Sequence, residues 1–138
     1  MSFIVEKDWI TNVGLRAVVI YMQDMGHRCG YVGVAPDHSC YRLDYCEATL
    51  AEIEVHGGLT YAAGKDYPVS GTGLWWLGYD CAHAWDLPAP DSEFGRRFDN
   101  GIRTSDSVHR DLPYCVHECE QLARQLMQLP QASPGDSR

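Results

Sequence analysis

His56, Asp80, His83 and Asp86 carry the side chains best suited to act on a small molecule. They fall in two short segments, His56 to Tyr61 (HGGLTY) and Trp75 to Asp86 (WWLGYDCAHAWD). Two imidazoles and two carboxylates can form the polar edge of a binding pocket, or the ligand set of a metal ion. Gly57 and Gly58 sharpen the first segment, because paired glycines weaken a strand and mark a bulge or a close approach to the backbone. A flat ligand lying over them would explain both, and so would a packed aromatic such as Trp75 or Trp76. In an extended second segment Trp76, Gly78 and Asp80 share one face, and Trp75, Leu77, Tyr79 and Cys81 the other. Asp80 then ends the strand, with His83 and Asp86 in the loop beyond it, where a rigid scaffold commonly holds functional groups.

Two chemistries fit these residues. In the first, an aromatic and glycine floor stacks a planar ring while polar groups bond its edge. The lining is His56, Gly57, Gly58, Thr60, Tyr61, Trp76, Gly78, Asp80, His83 and Asp86, and no cofactor is needed. In the second, His56, Asp80 and His83 hold zinc, with Asp86 as a further ligand or base, and the ion activates water. Cys81 beside His83 suggests a nucleophile, but its strand face is shared with Leu77 and Tyr79, which makes it a buried thiol. Cys115-Val116-His117-Glu118-Cys119 also suggests a metal site. At about 100° per residue, however, His117 projects away from Cys115, whereas Cys115 and Cys119 join a leucine stripe as core thiols. Cys29, Cys40 and Cys46 have no CxxC spacing.

The positioning elements follow from periodicity. Arg16 to Met22 is a β-branched apolar run that reads as a buried strand, and Cys29 to Ala35 as its hairpin partner across a turn at Asp24 and Gly26. Ala48 to Ala51 reads as at most a short helical turn. Glu52 to Tyr61 alternates at first, as a half-buried strand would, and Gly73 to Cys81 is its aromatic partner across a loop spanning Ala62 to Thr72. Leu87 to Asp111 is a long polar loop of the kind that serves as a lid or partner contact. Pro113 opens a helix whose Cys115, Cys119, Leu122, Leu126 and Leu129 recur at steps of four and three. The fold class expected is α+β: an antiparallel sheet of four to five strands, with a C-terminal amphipathic helix on one face. The other face is left to carry a site.

The chain of 138 residues fits a single domain over 1–129 with a flexible tail over 130–138. Its 45% hydrophobic and 22% charged residues suit a globular protein. The N-terminal residues lack an export-signal pattern and no apolar run approaches the ~20 residues of a membrane span, so a soluble cytoplasmic protein with reduced cysteines is expected. The charge of −8, from 11 basic and 19 acidic residues, argues against nonspecific nucleic-acid binding. Arg96, Arg97, Arg103 and Arg110 could still line one anion site, although a solvated loop is the simpler reading.

The segments EVHGGLTYA and WWLGYDCAHAWD, with GHRCGYVGV upstream and YCVHECEQLARQL at the end, resemble a family of small uncharacterised bacteriophage and prophage proteins. The resemblance spans roughly residues 16–128 and rests on the HGGLTY and WWxGYDCAH motifs. Trp85 departs from it, standing where the family pattern has a small residue. The resemblance implies a viral origin, and analogy with small phage accessory proteins extends this to an expected role in countering host antiviral defence in the host cytoplasm. The leading expectation is capture of a nucleotide-like immune signal without catalysis. The alternatives are a metal-dependent hydrolase of such a molecule, and an acidic inhibitor that binds a host defence complex. Expected partners are a small nucleotide-like molecule, neither a membrane nor nonspecific nucleic acid, with a homo-oligomer left open.

Overall fold

The computed structural model describes residues 2–83, 86–89, 92–93 and 108–129. Most of the Leu87 to Asp111 loop, with Arg96, Arg97 and Arg103, lies outside these residues, as do Trp85 and the tail over 130–138.

Five strands, β1 (Phe3–Ile10), β2 (Arg16–Met22), β3 (His27–Val34), β4 (Tyr61–Ala63) and β5 (Trp75–Asp80), form one antiparallel sheet in the order β1-β2-β3-β5-β4. The C-terminal helix α1 (Leu112–Gln128) packs on β2 and β3, giving the α+β arrangement. Asp111 caps it by accepting the Tyr114 amide at 3.0 Å, and Pro113 sits in the first turn, where a missing N–H costs nothing. Among the described residues no helix is long and apolar enough to cross a membrane.

The β2–β3 hairpin forms as its turn chemistry predicts, with Met22 opposite His27. β1 escapes the sequence pattern because its middle is charged and a bulge between Val5 and Lys7 breaks the alternation.

Both faces of the sheet are covered. Beneath α1 lie Ala17, Val19, Val32, Val34, Leu77 and Tyr79, with Cys115, Cys119, Leu122 and Leu126 of the helix among the buried residues. The opposite face, expected to be open, carries a second buried cluster of Val18, Ile20, Tyr31 and Trp76, against which Phe3, Tyr61 and Tyr67 pack. Glycines let large rings lie flat on the sheet. A methyl at Gly30 would overlap Tyr79, and one at Gly78 would overlap Tyr31, so the pairs Gly30↔Tyr79 and Tyr31↔Gly78 interlock through the sheet.

Glu52 to Thr60 does not form the expected strand. The side chains of α1 take up its backbone groups instead: Gln125 accepts from the Glu54 amide at 2.7 Å and donates to the Glu54 carbonyl at 2.7 Å. Glu118 accepts the His56 amide at 2.7 Å. The alternation therefore reflects a segment clamped along a helix, with Ile53 and Val55 packed against the core.

His38 closes the other end of α1. Its Nδ1 accepts the Cys40 amide at 3.0 Å, so Nε2 carries the proton and donates to the Leu126 carbonyl at 2.8 Å. His38→Ala removes both bonds from a buried site and is expected to cost about 2–3 kcal/mol in urea unfolding. An unchanged midpoint would show that the bridge contributes nothing.

Candidate functional site

Asp86 is the centre of the site. Its side chain is 1% exposed, and its carboxylate accepts from His56 Nε2 at 2.9 Å, from the His83 amide at 3.0 Å and from Arg110 Nε at 3.0 Å. His83 Nδ1 lies 3.1 Å from the same carboxylate. Burial raises the Asp86 pKa, but the bonds from His56, the His83 amide and Arg110 outweigh it and hold the carboxyl below its ordinary value. An ionised carboxylate can only accept, so both imidazoles donate to it. That leaves His56 Nδ1 to accept from the Tyr114 hydroxyl at 2.6 Å. The guanidinium of Arg110 also lies over the Tyr114 ring, 4.9 Å from its centre.

Four pieces of chain position this cluster. The loop carrying Asp86 bridges to Val108, and Leu87 donates its amide to the Val108 carbonyl at 2.9 Å. Arg28 on β3 pairs with Glu6 at 2.6 Å and donates to His109 Nε2 and the Arg110 carbonyl, each at 3.1 Å. His56 is held by Glu118 and Tyr114, one helical turn apart on α1. Gly57 explains its own presence: at φ 68° it is left-handed, and a methyl there would collide with the His83 ring. The group that approaches it is thus an imidazole rather than Trp75 or Trp76. Gly58, at φ 83°, faces open space.

The predicted residues divide into two neighbouring groups. His56 and Asp86, both buried, form one cluster with the partly exposed His83, and the exposed Gly57 lies against the His83 ring. Thr60, Tyr61 and Asp80 instead line a groove of about 550 Å³, with Met22, His27 and Tyr31 among its other walls. Asp80 joins the two, since Oδ2 accepts from the Thr60 hydroxyl at 3.2 Å, while Oδ1 accepts the Ala82 amide at 3.1 Å and lies 3.9 Å from His83 Nδ1. Burial holds the His27 pKa below its ordinary value, outweighing the pull of Asp80 and Asp86, so at neutral pH the ring offers hydrogen bonds and not charge. Trp76 is fully buried, and Gly78 lies under Tyr31, so neither forms an open floor. The apolar lining of the groove comes from Tyr31, Tyr61 and Met22, with the Tyr31 and Tyr61 rings edge to face at 85°.

All six cysteines are free thiols. Cys115 and Cys119 are buried under the sheet and His117 is exposed, as the helix geometry requires. Cys81 is also buried, its sulfur 3.7 Å from that of Cys115.

Tyr114 and Glu118 join the site without any motif in the sequence to single them out, and Arg110, expected at an anion site or in a solvated loop, meets the Asp86 carboxylate. The spacing of Tyr114, Glu118 and Gln125 on the flank of the leucine stripe was the available signal, because a polar row beside the buried stripe must face something. Chemically, the cluster of His56, His83 and Asp86 could hold a metal ion: one donor atom from each lies within 4.8 Å of the others. The set has the composition of a three-ligand centre with an open position. The bond from Tyr114 would orient His56 as an outer partner does at such centres. Arg110 works against a divalent ion by already neutralising Asp86.

No protein-family model matches the chain, and no curated protein or solved structure is similar to it.

Proposed function

We propose that this protein captures a small nucleotide-like molecule in the groove between Tyr31, Tyr61, Thr60 and Asp80. The observation that carries the reading is the groove itself, which joins the ends of the HGGLTY and WWLGYD segments. Its volume of about 550 Å³ suits a ligand of nucleotide size. Its wall is aromatic and thioether, and its rim holds a pre-oriented carboxylate, a hydroxyl and an uncharged imidazole. These are partners for the amino and hydroxyl donors of a base and ribose. The buried Asp86 cluster then serves as the rigid support that fixes Asp80 and the loop bearing it. The resemblance to phage proteins adds a setting: sequestration of a host immune messenger in the host cytoplasm, as a counter to antiviral defence.

Calorimetric titration with cyclic dinucleotides and ADP-ribose derivatives tests this. At least one is expected to bind, and Asp80→Ala is expected to weaken it about 10- to 100-fold, the value of bonds to a charged acceptor. Failure of every one of these ligands to bind would remove the proposal.

The 4.8 Å convergence of donors favours a second reading, a zinc-dependent hydrolase of the same ligand class. His56, His83 and Asp86 would hold the ion, with Asp86 taking the place first expected of Asp80. Zinc would supply a water ionised near neutral pH. Elemental analysis of purified protein is then expected to find stoichiometric zinc that His56→Ala loses; metal-free protein ends this reading.

A further inference from the structure

A second groove lies at the opposite end of β5. Its volume is about 510 Å³, and its walls are Tyr41, Arg42, Lys65 and Trp75 over a floor of Ala63 and Gly64. It is five residues along the strand from Asp80, about 16 Å at the usual rise of a strand.

Three observations make it more than a surface crease. First, it concentrates positive charge on an acidic chain. Arg42 and Lys65 are both exposed, and among the described residues neither forms an ion pair with a carboxylate. Two exposed cations thus line one groove on a chain of charge −8. Second, two aromatic rings wall the same space. Tyr41 and Trp75 lie 6.3 Å apart, inclined at 59°, and the Trp75 indole donates to the Leu43 carbonyl at 2.9 Å, which fixes its ring. The floor is bare backbone with the smallest side chains, and a methyl added at Gly64 would press on the Trp75 ring. Third, Arg42 has φ 71° and is the one non-glycine residue in the left-handed region among those described. An L-residue with a long side chain adopts that conformation at a steric cost, which points to a position where placement of the side chain matters.

We propose that this groove is a binding site for a nucleoside monophosphate, with the phosphate held by Arg42 and Lys65 and the base against Trp75 and Tyr41. A guanidinium and an ammonium answer the phosphate oxygens, and an indole offers a face for stacking. The site is independent of the groove at Asp80 and stands whether or not that groove binds a ligand.

The test uses the full chain labelled with ¹⁵N and follows the Trp75 indole N–H signal, which reports this groove separately from Asp80. The probes are adenosine 5′-monophosphate, adenosine and inorganic phosphate. The monophosphate is expected to shift the signal saturably, with the other two at least about tenfold weaker because each lacks half of the contacts. Arg42→Gly, which relieves the backbone, and Lys65→Ala are each expected to weaken binding at least about fivefold while the remaining amide spectrum is unchanged. No shift at millimolar monophosphate would overturn the proposal, as would inorganic phosphate binding equally well, or both variants binding like the parent.

Discussion

Asp86→Ala is expected to destabilise the fold by about 3–5 kcal/mol, the cost of removing one partner from a buried charged network. The loss has identifiable sources. Arg110 and the His83 amide lose this acceptor, and so does His56 Nε2, in a side chain only 4% exposed. The loop over 86–89, the Arg110 segment and α1 are tied to one another through this carboxylate, so its removal loosens all three. Asp86→Asn is expected to recover little, because the amide NH₂ must face either an imidazole N–H or a guanidinium, donor against donor. Urea unfolding monitored by tryptophan fluorescence measures both variants. A loss below about 1 kcal/mol for Asp86→Ala would show the network to be solvated and weak, as exposed ion pairs are.

Gly57→Ala is expected to be the second most damaging change, at about 2–4 kcal/mol, from left-handed strain and from overpacking against His83. Gly58→Ala provides the control. Gly58 is also left-handed, but a methyl there meets nothing within 4 Å, so only the strain of about 1–2 kcal/mol is expected. The difference between the two variants isolates the contact with the imidazole. Gly57→Ala should also push His83 away from Asp86, visible as a shifted His83 ring resonance that Gly58→Ala leaves alone. Equal costs for the two glycines would mean that His83 does not press on Gly57.

The sequence by itself determined the elements whose pattern is local. Arg16 to Met22 is β-branched and apolar on both faces, and both faces of β2 are indeed buried. Pro113 and the leucine stripe specify α1, and the projection of Cys115, Cys119 and His117 follows from the helical repeat alone. The sequence also singled out HGGLTY and WWLGYDCAHAWD, and the fold brings residues of the two segments together, His56 on Asp86 and Thr60 on Asp80.

Only the tertiary structure decided how those residues divide. Which imidazole meets which carboxylate depends on chain segments distant in sequence: His56 and Asp86 are thirty positions apart, and Arg110 and Tyr114 come later still. Side-chain bonds from α1 replaced sheet pairing along Glu54 to His56, and no local period distinguishes a segment bonded to glutamine and glutamate side chains from one bonded to a strand. Burial of Trp76 and Gly78 was equally out of reach, because alternation assigns residues to a face without saying what covers it. In this protein Tyr31 and the second apolar cluster cover that face. The single cleft expected between the two segments became a buried histidine–aspartate cluster and an adjoining open groove, joined through Asp80.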